Sequence, residues 1–61
     1  MTINYKVNGY YSTKSLTEWF FGEAFVKAAT SEARKQNKKT GKTEFTTWQN
    51  GTGYLTVCIE K

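Results

Sequence analysis

Between Thr2 and Val7 hydrophobic and polar residues alternate, with Ile3, Tyr5 and Val7 on one side and Thr2, Asn4 and Lys6 on the other. Such alternation marks a half-buried strand, because successive side chains leave a pleated backbone on opposite faces. Asn8-Gly9 follows. A type I′ turn needs positive φ at both central positions, which Asn and Gly reach at least cost. Tyr10 to Thr13 is therefore expected to pair back as a short edge strand, with Val7 opposite Tyr10 and Tyr5 opposite Ser12. A second Asn-Gly, Asn50-Gly51, separates Thr43 to Gln49 from Thr52 to Glu60 and predicts a second hairpin, with Leu55, Val57 and Ile59 facing the core. A two-residue turn there would put Trp48 on the core side across from Gly53. A three-residue turn with a bulge would bring Phe45 in and turn Trp48 out.

The middle of the chain has helical periodicity. Ser15-Leu16-Thr17-Glu18 reads as a capping box, the serine oxygen accepting from the Glu18 amide, and it starts a helix near Leu16. The helix is expected to run to Gln36 or Asn37, about 31 Å at the helical rise. Because a sheet strand of six residues spans only about 20 Å, its last turns are expected to project beyond the sheet. Phe21, Ala24, Phe25, Ala28 and Ala29 recur at i, i+3, i+4, i+7 and i+8 and predict a core-facing stripe, with Glu23, Lys27, Thr30 and Arg34 opposite. Leu16, Trp19 and Phe20 fall on or beside that polar stripe, so one helix would carry two apolar surfaces. Gly22 lines up with Val26, Ala29 and Ala33. A glycine inside a helix costs roughly 1 kcal/mol against alanine, which implies a close approach at this row, for which the domain's own sheet is favoured over a partner.

Composition narrows the picture. A single domain of 61 residues buries only about 60% of its unfolded surface. The lone cysteine, Cys58, and the absence of histidine leave no internal disulfide and no Cys/His zinc site to reinforce it, so sound packing or self-association must suffice. With 16% aromatic residues and no proline the chain is expected to fold. No apolar run is long enough for a bilayer and no leader-like start is visible, so a soluble, cytoplasmic protein is expected. The net charge of +4 is concentrated in Arg34, Lys35, Lys38, Lys39 and Lys42, which leave four basic residues against five acidic ones elsewhere.

Hairpin, helix, hairpin predicts an α+β domain of ββαββ type, one helix packed on a four-stranded sheet, the β-grasp plan. In that plan the first and last strands are parallel neighbours in the middle of the sheet. The alternative, should the first Asn-Gly not turn, is βαββ with a three-stranded antiparallel sheet. The order of elements, the opening MTINYKVNG, the alanine-bearing helix and the closing GYLTVCIEK resemble the immunoglobulin-binding domain of streptococcal protein G. That family holds an antibody fragment with the outer face of its helix and the neighbouring strand, using polar residues and a tryptophan. Here Trp48 occupies a comparable strand, while Glu23, Lys27, Thr30 and Arg34 do not match the family's set. The resemblance therefore implies the fold and leaves the ligand open.

Catalysis is not expected. Histidine and aspartate are both absent, which removes the commonest general base and the usual triads. The glutamates are dispersed, Glu18 is assigned to capping, and Cys58 reads as a small buried hydrophobe. Gly51-Thr52-Gly53 lacks the lysine of a phosphate loop, and no cofactor, metal, membrane or small-molecule substrate is expected. Two features remain. Leu16, Trp19 and Phe20, with Tyr10 and Tyr11 on the edge strand, form a candidate partner or self-interface. Arg34, Lys35, Lys38, Lys39 and Lys42 form a candidate basic knob for an acidic protein or for phosphates. These features suit a small non-catalytic protein-binding module, a homodimeric regulator or inhibitor of the size phages encode. The alternative is a basic nucleic-acid binder that stacks bases on exposed aromatics.

Overall fold

A computed structural model describes residues 2–60. The elements run β1 (Thr2–Val7), β2 (Tyr10–Ser12), α1 (Lys14–Phe21), α2 (Glu23–Thr40), β3 (Glu44–Gln49) and β4 (Gly53–Glu60). They form one four-stranded sheet in the order β2-β1-β4-β3, with the helical segments packed on one face. The α+β class and the ββαββ order are those expected from the sequence. β2 forms, so the three-stranded alternative does not apply.

The first hairpin has the expected register, Val7 opposite Tyr10 and Tyr5 opposite Ser12, around Asn8 (φ 51) and Gly9 (φ 89). In the second, Gln49 pairs with Gly53 and Trp48 with Tyr54, so Asn50, Gly51 and Thr52 form a three-residue loop. That loop decides the open alternative: Phe45 turns inward against the core, and Trp48 lies outside, 67% exposed.

The middle strand pair departs from the β-grasp plan. β1 and β4 are neighbours but antiparallel, with Ile3 opposite Ile59, Tyr5 opposite Val57 and Val7 opposite Leu55. Asn8 donates its amide to the Tyr54 carbonyl at 3.0 Å and accepts the Tyr54 amide on its side-chain oxygen at 3.0 Å. Antiparallel pairs alternate between hydrogen-bonded and closer, non-bonded ones. The Ile3/Ile59, Tyr5/Val57 and Val7/Leu55 pairs are therefore the close ones, and they face the core. Gly53, at φ 122, sits against the Asn8 amide, where a β-carbon would collide with it.

This direction of pairing reshapes the helix. β2 ends and β3 begins at the same end of the sheet but on opposite edges, so their connection must return to the end it left. One straight helix would deliver the chain to the wrong end. The expected single helix is instead two segments joined at Gly22, with φ 94 and ψ 141. The Gly22 amide closes α1 on the Glu18 carbonyl at 2.7 Å, and its carbonyl opens α2 by accepting from Val26 at 3.1 Å. No neighbour lies within 4 Å of a β-carbon built at Gly22, so the glycine answers a backbone demand and not the close approach expected there.

The caps and the buried face also differ from expectation. Thr13, not Ser15, caps α1: its Oγ1 accepts from the Leu16 amide at 3.1 Å, and Glu18 has no capping duty. The helical segments continue to Thr40, and Gly41 ends them in a left-handed conformation with its amide on the Asn37 carbonyl at 2.8 Å. The buried residues are Thr17 and Phe21 of α1 and Val26, Ala29 and Ala33 of α2, whereas Ala24 and Ala28 are exposed and Phe25 is half-buried. The bend resets the helical phase, which moves the core stripe onto the row of small residues. With Tyr5, Leu55, Val57 and Ile59 these side chains form the core, and Phe21 stacks on Phe25 at 5.3 Å between ring centroids. Thr17 is fully buried and satisfied, its hydroxyl donating to the Thr13 carbonyl at 2.7 Å.

Gly22→Ala leaves space around the new methyl but forces an L-residue to positive φ, which costs about 1–3 kcal/mol. Urea unfolding of the two proteins is expected to show a loss of that size. An unchanged midpoint would mean that the bend is not required.

Candidate functional site

α1 has one buried and one open side. At 100° per residue Thr17 and Phe21 share the side that meets β1 and α2, and Leu16, Trp19 and Phe20 share another. Those three are 60%, 83% and 41% exposed. Phe20 meets Phe21 edge-on at 5.0 Å, so the outer group is continuous with the core through the Phe21–Phe25 stack. Sequence pattern identified these residues correctly as lying off the core stripe.

The two tyrosines expected to join them separate. Tyr10 pairs with Val7 and lies on the helix side of the sheet, while Tyr11 pairs with Lys6 on the uncovered side. Lys6 stands over the Tyr11 ring, 4.7 Å from its centroid. That uncovered side also carries the Trp48–Tyr54 stack, at 6.2 Å, and the Thr46–Thr56 hydroxyl pair, at 3.0 Å. The candidate interface thus reduces to Leu16, Trp19 and Phe20; Tyr10 is exposed on the helix side of the sheet, and Tyr11 belongs to a second surface.

Four residues of the basic knob, Arg34, Lys35, Lys38 and Lys39, are exposed on α2 and are neighbours at i, i+3 and i, i+4 spacing. Lys38 and Lys39 lie within the last turns of α2, not in a loop. Lys42 reaches back over the Phe45 ring, at 5.7 Å. Helical spacing sets Lys35 and Lys39 on one row of α2 and Lys27, Arg34 and Lys38 on an adjacent one, both exposed. Arg34 lines a groove between α1 and α2 together with Lys14 and Lys27. Lys14 and Lys27 were not among the sequence candidates, because only the bend at Gly22 brings α1 alongside α2.

Elsewhere the expected chemistry is sparse. Among the described residues no group of three histidine, cysteine or acidic side chains comes together, and no helix is long and apolar enough to cross a membrane. Cys58 is buried on the sheet, and burial first, then the carboxylate of Glu44, push its thiol up. No protein-family model, curated protein or solved structure matches this chain, so its surfaces must be read on their own terms.

The Cys58 environment gives a direct check. A buried thiol with a raised pKa carries little thiolate, the reactive species. At pH 8 the native protein is expected to react with a disulfide reagent at least about tenfold more slowly than the urea-unfolded chain. Equal rates would place Cys58 at an open, activated site.

Proposed function

We propose that this chain is a small, non-catalytic protein-binding module that pairs with itself through the outer side of α1 and acts as a regulator or inhibitor by occupying a surface of a larger protein. The observation that carries this reading is Trp19, 83% exposed between Leu16 and Phe20 on a helix that buries only Thr17 and Phe21. A tryptophan in water forgoes the burial of roughly 150–250 Å² that an aromatic anchor offers. Single exposed apolar residues are ordinary, but a contiguous group marks contact surfaces.

A second copy is the favoured occupant for two reasons. Twofold pairing uses the same patch twice, so a small apolar face doubles its buried area. The outer side of α1 also lacks charge, as interface centres do: Lys14 and Glu18 of the same helix line the groove on its other side, and the +4 charge of the chain does not oppose contact there. A face of three residues supports modest affinity and not an obligate dimer, since stable interfaces bury about 800 Å² per partner. The five clustered cations Arg34, Lys35, Lys38, Lys39 and Lys42 are fewer than the about six to ten phosphate contacts of a DNA binder, which favours this reading over nucleic-acid binding.

At tens of micromolar, light scattering is expected to give a mass approaching twice that of the monomer, and the double substitution Trp19→Glu with Phe20→Ser is expected to return it to the monomer with the far-ultraviolet spectrum intact. A monomer at every concentration would reject self-pairing. Unfolding of the variant would assign both residues to the core.

A further inference from the structure

The groove between α1 and α2, about 490 Å³ in volume, has Tyr5 in its lining. Lys14 and Arg34 line it and also line an adjoining hollow bounded by Asn4, Ser12 and Thr13, which has no carboxylate. Two cations from different helices therefore stand where two concavities meet. Glu18 and Glu23 line the groove as well, each one helical turn from a lysine, Lys14 and Lys27 in turn, so its lining carries three cations and two carboxylates.

The hydroxyl protons are accounted for. Thr30 Oγ1 donates its one proton to the Val26 carbonyl at 2.8 Å. In the 3.0 Å contact between Tyr5 and Thr30 the tyrosine must then be the donor. Tyr5 Oη is left with lone pairs only, so it can accept but not donate. The site has a cationic end and an end of hydrogen-bond acceptors.

We propose that this groove binds a small organic phosphate, a phosphate monoester carrying hydroxyl or amino groups. The phosphate sits between Lys14 and Arg34, and the ligand's donors meet Tyr5 Oη, Glu18 and Glu23. A monoester near neutral pH carries about −1.5 to −2 charge, which matches two cations where a carboxylate would leave one unmatched. The guanidinium fork of Arg34 suits phosphate geometry, and the volume falls in the range of small-molecule sites. Because the groove lies on the side of α1 away from Trp19, binding is independent of self-pairing and survives Trp19→Glu.

The test is an amide-resolved NMR titration of the full chain with glucose 6-phosphate, inorganic phosphate and glucose. Glucose 6-phosphate is expected to give saturating shifts at Tyr5, Thr13, Lys14 and Arg34, with inorganic phosphate about tenfold weaker for want of donors and glucose without effect. Arg34→Gln and Lys14→Gln are each expected to weaken binding by about fivefold or more, and Lys39→Gln to leave it unchanged. Equal affinity for the two phosphates would overturn the acceptor end. Shifts that never saturate, or a Lys39→Gln loss equal to that of Arg34→Gln, would reduce the effect to diffuse attraction and overturn the site.

Discussion

The antiparallel pairing of β1 with β4 decides how the rest of the chain must travel. With those two strands in the middle of the sheet and each hairpin folding outward, the chain leaves β2 and enters β3 at the same end of the sheet. A helical connection can satisfy that only by doubling back. Gly22, at φ 94, makes the return possible in a single residue, because a side chain there would carry the strain of a positive-φ backbone. The order of strands is that of a β-grasp domain, but the direction of the middle pair is not, and the bent helix is its consequence.

The bend in turn creates both candidate surfaces. An eight-residue helix can commit one side to the sheet and its sister helix, and Thr17 and Phe21 fill that role. Leu16, Trp19 and Phe20 are left outside. On the other side of α1 the two helical segments meet at an angle, and the groove between them collects Lys14 from one and Arg34 from the other. Neither surface would exist on a continuous helix lying flat on the sheet.

Much of the fold was legible in the residues, and the misses share a cause. Both Asn-Gly turns, the register of the first hairpin and the inward faces of β1 and β4 follow from local chemistry and period-two alternation. Alternation has no direction, however, so Ile3, Tyr5 and Val7 look the same against a parallel or an antiparallel neighbour. Carrying the helical period through Gly22 then assigned Ala24 and Ala28 to the core in place of Val26 and Ala33. The signal that could have located the break was Gly22 itself, a costly residue in a helix interior. Thr13 and Ser15 are both good capping residues two positions apart, and the choice between them rests on where the edge strand ends. Of the basic residues between 34 and 42, Arg34, Lys35, Lys38 and Lys39 stay neighbours on the exposed side of α2, and Lys42 reaches the Phe45 ring.

The account stands on the direction of the middle strand pair, which is open to direct measurement. In an antiparallel sheet the α-protons of non-bonded partners approach closely, whereas parallel neighbours have no such contact. Nuclear Overhauser spectra in heavy water are predicted to show α-proton cross-peaks for Ile3 with Ile59, Tyr5 with Val57 and Val7 with Leu55. Absence of all three, with α-proton to amide contacts of a parallel pair between the same strands, would contradict the fold, the need for the bend and both surfaces that follow from it.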